Sequence, residues 1–233
     1  PAAQAAIDQA AQALTAARDA ASGQVGRLSV GFAGTMLYRG LPQMLRRFQA
    51  EHARLQLTLR ELSSSEQIVE LQHARLDAGF AHVSHAPAGL AAQLVSSQPF
   101  VACVPAAHAL ARKRTLPLDA LAPEPLALVS RSVSPDYHAR IVAACQAAGF
   151  TPQPLHEMQH WLSVVSLVSQ GLAVALVPAA LQQAQLAGAA FVPVKDPHGT
   201  LPRYETRCLW NPARDLPALG LFLTAVRAVG QTA

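Results

Sequence analysis

Apolar positions along the chain switch between a period near two and a period near 3.6, the spacings that mark strands and amphipathic helices. Residues 1–22 hold no Gly and no Pro after Pro1, and they set Ile7, Ala10, Ala11, Leu14, Ala17 and Ala21 on one helical face. So narrow a stripe buries little alone, which predicts packing against a partner chain or a connector role, ended by Gly23 and Gly26. Residues 28–32 read as a buried strand, followed by Gly34-Thr35 and an amphipathic helix through Leu41, Met44, Leu45 and Phe48. Residues 55–59 alternate as a second strand, Ser63-Ser64-Ser65-Glu66-Gln67 offers overlapping capping boxes, and Ile68, Val69 and Leu71 give the next helical face. Residues 77–83 make a third strand. Strand, helix, strand, helix, strand implies parallel pairing through crossovers.

A second series begins after the polar stretch Val95-Ser96-Ser97-Gln98-Pro99, with strands expected over 100–104, 126–129 and 172–177. Ser134-Pro135 opens a helix stopped by Gly149, and a helix with Leu162, Val165, Leu167 and Val168 ends at Gly171. Residues 203–210 and a helix over 216–229 close the chain, and the pattern leaves open which half that helix packs on. The expected architecture is α/β with two lobes.

Composition narrows the function classes. Hydrophobic residues make up 51% of the 233 positions and charged ones 14%, enough apolar surface for a packed core and too little charge for a disordered chain. No apolar run approaches the roughly 18 residues of a membrane span, so no membrane partner is expected. Cys103, Cys145 and Cys208 lie far apart without C-x-x-C spacing, and read as core residues of a cytoplasmic protein. The net charge of +4 is dispersed except at Arg112-Lys113-Arg114, so this segment is not expected to grip DNA. A first residue that is Pro and not Met suggests that the sequence starts partway into a longer product or after processing.

His156-Glu157-Met158-Gln159-His160 matches the H-E-x-x-H of zinc hydrolases, whose two histidines share one helix face. Pro152 and Pro154 upstream favour a strand over 153–157 with His160 opening the next helix, which separates the pair. His82 and His85 alternate out of the third strand, where one imidazole lining a cleft is favoured over a metal pair. Gly31-Phe32-Ala33-Gly34-Thr35 lacks the P-loop Lys and the dinucleotide glycine pattern, so no cofactor is expected. What remains is hydroxyls at helix starts: Thr35, Ser63, Ser64 and Ser65, then Ser130, Ser132 and Ser134. Each can serve as an ordinary cap; together, at the strand ends of two facing lobes, they describe a cleft for a carboxylate.

The order of segments resembles the regulatory half of LysR-type transcriptional regulators. The resemblance is carried by Gly26-Arg27-Leu28-Ser29-Val30-Gly31-Phe32, by Arg75-Leu76-Asp77-Ala78-Gly79-Phe80, and by Gly171-Leu172-Ala173-Val174-Ala175-Leu176-Val177-Pro178. It implies a fold similar to type 2 periplasmic binding proteins, with two Rossmann-like lobes. Residues 1–23 would be a linker and dimerisation helix, 24–97 with 206–233 the first lobe, and 98–205 the second. It also implies a homodimer or homotetramer, and promoter DNA held by a helix-turn-helix domain outside this sequence. The branch sensing benzoate and muconate is similar, and register with it assigns Thr35 and Ser64 to an effector carboxylate. His82 stands where that branch has Arg, which suggests a group titrating near neutral pH; Trp161 would be an aromatic wall. The candidate effector contacts are Thr35, Ser63, Ser64, His82, Ser130 and Trp161. A solute-binding protein of a transporter shares the fold and is the alternative, followed by the zinc hydrolase.

Overall fold

A computed structural model describes residues 24–196 and 199–230; the helix expected over 1–23 lies outside the described residues. The first expected unit forms as β1 (Gly26–Phe32), helix α1 (Leu41–Glu51), β2 (Leu55–Glu61), helix α2 (Ser64–Gln72) and β3 (Ala78–Ala81). β1 lies between β2 and β3 and pairs parallel with both. One detail differs: Thr35 sits in a short 3-10 turn, Gly34–Tyr38, and the amphipathic helix begins only at Leu41, after Gly40 adopts the left-handed conformation at φ 80°. Leu41, Met44, Leu45 and Phe48 are the buried face of α1, as the spacing predicts.

The first sheet has the order β2-β1-β3-β11-β4, where β4 is Ala91–Gln98 and β11 is Tyr204–Trp210. β11 runs antiparallel to both its neighbours. β4 escapes the pattern reading because Gln93, Ser96 and Ser97 break any apolar alternation; an edge strand needs backbone pairing more than an apolar face. The C-terminal helix α5 (Pro217–Gly230) packs on this sheet, with Phe222 edge-on to Phe48 at 5.2 Å between centroids.

The second sheet, β6-β10-β5-β9-β7-β8, contains β5 (Phe100–Pro105), β6 (Leu116–Pro117), β7 (Leu126–Val129), β8 (Pro154–Met158), β9 (Val174–Pro178) and β10 (Ala189–Lys195). β10 carries Pro193, which argues against a strand in sequence; β6 pairs with it only at Val194 and Lys195, so at Pro193 that side of β10 is free. Helices α3 (Pro135–Ala147) and α4 (Trp161–Ser169) follow β7 and β8. All three cysteines are buried, and burial raises each thiol well above its ordinary pKa.

The chain crosses between sheets twice, from β4 into β5 through Pro99 and from β10 back into β11. Both crossings are tied down. Gln98 is buried, and its Oε1 accepts the Ala180 N–H at 2.7 Å; Arg203 donates from Nε to Ser97 Oγ at 2.7 Å and from Nη2 to Ser97 O at 3.0 Å.

Two strand glycines bring α2 close to the first sheet. A methyl group on Gly31 would lie 2.7 Å from Leu76 Cδ1, and one on Gly79 would lie 2.8 Å from Gln67 Oε1. Fully buried Gln67 occupies that space, with Nε2 donating to Leu62 O and Phe80 O. Overpacking of this kind costs about 1–3 kcal/mol. Gly79→Ala is therefore expected to destabilise the protein by that amount in urea unfolding, and to cost clearly less in a Gln67→Ala background, where the space is open; equal costs in both backgrounds would contradict the contact.

Candidate functional site

Between the two sheets lies a cavity of about 680 Å³. The first sheet lines it through Thr35 and Tyr38 of the 3-10 turn, Glu61 at the end of β2, Ser63, Ser64, Ser65 and Glu66 at the start of α2, and His82 just past β3. The second lines it through Ser132, Val133 and Ser134 before α3, and Gln159, His160, Trp161 and Leu162 at the start of α4. Tyr204, the first residue of β11, closes the back. Five of the six sequence-predicted contacts, Thr35, Ser63, Ser64, His82 and Trp161, thus share one cavity.

Ser130 is the exception and a correction. Its N–H donates to Met158 O at 2.8 Å, extending the β7–β8 ladder, and its hydroxyl meets Ser132 Oγ at 3.0 Å. It supports the loop from behind while Ser132 and Ser134 reach the cavity. Ser63 lines the cavity, but its oxygen is committed to the helix. It caps α2 by accepting the Glu66 N–H at 3.2 Å, while Glu66 Oε2 accepts the Ser63 N–H at 2.8 Å. That reciprocal cap holds the Glu66 carboxyl below its ordinary pKa.

Thr35, Ser64 and His82 are buried, not open to solvent as a simple cleft would have them. The Trp161 indole Nε1, which only donates, gives its proton to Tyr204 Oη at 2.8 Å. The Thr35 hydroxyl lies close enough to the Tyr204 phenol to oppose in part the rise that burial imposes on its pKa, and Thr35 Oγ1 lies 2.5 Å from His82 Nε2. His82 Nδ1 lies 3.1 Å from Thr206 Oγ1 and 3.4 Å from the Glu205 carbonyl, which only accepts. The Trp161 indole can only donate and the Glu205 carbonyl can only accept, while Tyr204, Thr35 and Thr206 between them can each do either. A neutral His82 that donates to the Glu205 carbonyl carries its proton on Nδ1 and accepts from Thr35 at Nε2. Separately, the His82 backbone N–H donates to Ser64 Oγ at 3.0 Å, which leaves the Ser64 hydroxyl proton for an acceptor in the cavity.

The expectation that His82 titrates near neutrality needs correcting. Burial, with a smaller contribution from the Arg39 guanidinium, pushes its pKa down to about 3; the Glu205 carbonyl opposes this only in part. Its ring stacks on Tyr204 at 4.1 Å between centroids. At neutral pH His82 is an uncharged link in the wall. His85, its expected companion, is exposed and pairs with Ser84 Oγ.

The H-E-x-x-H pattern is divided. His156 and Glu157 lie in β8, paired in parallel with β7, and His160 is the N-cap of α4, so the imidazoles do not share a helix face. Among the described residues no cluster of three or more His, Cys, Asp or Glu is arranged to hold a metal ion, and no helix is long and apolar enough to cross a membrane.

Sequence reasoning missed Tyr204, Tyr38, Glu61 and Thr206. Tyr204 opens an expected strand, but nothing local says that the strand returns to the first sheet with its initial ring over His82.

The family model described as the LysR substrate binding domain matches residues 21–231. The chain belongs to the LysR substrate-binding domain family. Two sheets facing across a cavity are the architecture of this domain. Relatives of the LysR domain include AlsR of Bacillus subtilis (strain 168), 30% identical over 178 residues, covering 76% of this chain and 59% of AlsR. IlvR of Caulobacter vibrioides is 32% identical over 217 residues, covering 92% and 71%; BenM of Acinetobacter baylyi is 26% identical over 179 residues, covering 76% and 59%. All three are HTH-type transcriptional regulators, and the chain spans 59% of the length of two of them. The solved LysR-family regulator CbnR superposes with a TM-score of 0.80 at 23% identity, covering 97% of this chain and 77% of CbnR. The effector-binding domain of BenM with benzoate gives 0.76 at 22%, covering 89% and 94%, and that of QuiR with shikimate gives 0.80 at 16%, covering 89% and 98%. These structural likenesses speak for the fold.

A buried neutral His makes the LysR domain sensitive to acid. Its folded pKa of about 3 lies below the ordinary 6.5, so between those values the unfolded chain binds the extra proton. The contribution is complete above the unfolded pKa and is lost as pH falls. By linkage the loss amounts to about 2 kcal/mol between about pH 7 and about pH 5. Urea unfolding at the two pH values should show that drop, and His82→Gln should flatten it; an unchanged slope in the variant would mean that His82 is not the titrating group.

Proposed function

We propose that the cavity between the sheets is the effector site of a LysR-type transcriptional regulator, and that this chain senses a small organic molecule, not a substrate to be turned over. The observation that carries the reading is the hydrogen-bonded wall shared by both halves: Trp161 from α4, Tyr204 from β11, and Thr35 and His82 from the first sheet converge on one cavity. A ligand there touches both sheets at once. It therefore favours whichever relative placement of the two lobes gives it more contacts, and shifts the population by its difference in affinity for the two. The lobes divide at the crossovers, near residue 99 and between β10 and β11.

The family and its regulator relatives support placing this sensor in a longer cytoplasmic protein that binds promoter DNA through a helix-turn-helix domain and works as a homodimer or homotetramer. Ser64 is the principal polar contact, because its hydroxyl proton is uncommitted and it stands in the first turn of α2, where backbone N–H groups are free. Trp161, already donating to Tyr204, offers its ring. Thr35 acts through the wall, since its hydroxyl is engaged by His82.

A thermal-shift screen of small organic acids, amino compounds and aromatics is expected to yield stabilising ligands; one present at 100 times its Kd adds about 2.7 kcal/mol. Calorimetry of the best hit should show Ser64→Ala weakening binding by roughly five- to a hundredfold, the range for losing one donor to a neutral or charged acceptor. A hit whose affinity is unchanged in both Ser64→Ala and Trp161→Phe would place binding elsewhere and overturn the assignment.

A further inference from the structure

The cavity carries a charge imbalance that its hydrogen-bonded wall does not explain. Two carboxylates, Glu61 and Glu66, line it, and no Lys or Arg does. Glu66 is accounted for, because its Oε2 closes the capping box beside the positive end of α2. Glu61 has no comparable duty. It is the last residue of β2, is exposed, and forms no hydrogen bond or ion pair with any described residue.

The Glu61 carboxylate lies over the backbone of Gly34, where an added methyl group would come to 2.5 Å from Oε1. A bare glycine is what admits it there, next to the 3-10 turn that carries Thr35. Tyr38, Trp161 and Tyr204 line the same space, and aromatic faces attract cations. Among the other charged or titratable groups, His82 is held neutral, His160 lines the cavity from the cap of α4, and Arg39 biases His82 and Tyr204 electrostatically without lining it. A cavity lined by an unpaired carboxylate and by aromatic rings suits an ammonium group. A purely anionic ligand would meet a like charge at Glu61.

We infer that the effector carries a protonated amine received by the Glu61 carboxylate, so that the site selects amino compounds over molecules of the same skeleton lacking the amine. This rests on the effector-site reading and names the ligand class for it. Glu61 and Ser64 are three residues apart, so their Cα atoms lie within about 11 Å. A ligand bearing an amine and a hydrogen-bond acceptor can engage both.

The test is calorimetric titration of the 233-residue chain with three matched pairs: alanine and propanoate, leucine and 4-methylpentanoate, phenylalanine and 3-phenylpropanoate. Within each pair the only change is the amino group. The amino member of at least one pair is expected to bind about five- to tenfold more tightly or better, the scale of one partly exposed charge-assisted contact. Glu61→Gln should remove that advantage with an unchanged melting temperature, and Ser64→Ala should weaken both members. The inference is overturned if no pair shows an amino advantage or if the advantage survives Glu61→Gln. Des-amino acids that bind through Ser64 without an amino advantage would sink the amine while leaving the effector site standing. Failure of every pair to bind would also sink the amine, and the broader screen would then decide the site.

Discussion

The polar wall from the Trp161 indole to the Glu205 carbonyl joins three elements drawn from both sheets. It takes α4 from the second sheet, the start of β11 at the crossover, and the 3-10 turn of the first sheet, and it gives each buried polar group a partner. Burial demands this, since an unpaired polar group in a low-dielectric interior costs about 1–3 kcal/mol. The same burial keeps His82 uncharged, because a proton on both ring nitrogens would put an unbalanced cation inside the wall. Tyr137 adds a parallel tie from α3, its hydroxyl accepting the Glu205 N–H at 2.8 Å. The start of β11 is therefore gripped by both second-sheet helices that border the cavity, and a change in the angle between the sheets must be absorbed there.

Such a wall shapes what the cavity recognises. With a neutral imidazole in the wall, discrimination falls to the hydrogen bonds, to the aromatic rings and to the carboxylate above Gly34. Most of the polar atoms in the wall already serve one another. A ligand thus meets a pre-organised surface with few uncommitted groups, an arrangement that favours specificity over sheer strength of attraction.

Much of this was legible in the sequence. The periodicity of Leu41, Met44, Leu45 and Phe48, the capping box at Ser63 and Glu66, and the strand-to-cap break inside His156 to His160 are local signals, and local physics decides them. The resemblance placed Thr35, Ser64, His82 and Trp161 in one cavity. What remained hidden depends on contacts distant in sequence. The neutrality of His82 comes from burial among neighbours such as Thr206, which is 124 residues away, and the ring of Tyr204; neither leaves a mark near position 82. β4 was hidden because its Ser and Gln residues satisfy no apolar pattern, and Ser130 was misplaced because three alternating serines look alike until a β-ladder claims the backbone of one.

The double crossing between sheets also sets an order of assembly. Every strand of the second sheet lies within residues 100–195, whereas the first sheet lacks β11 until residues 204–210 have been made and lacks the cover of α5 until residues 217–230 follow. On the ribosome the half that begins later can be finished earlier. Meanwhile β3 waits with an open edge, and Phe48 and Phe80 wait for Phe222. A nascent chain of this design spends part of its synthesis with one completed lobe and one exposed apolar sheet, a window in which chaperones and proteases have the most to act on.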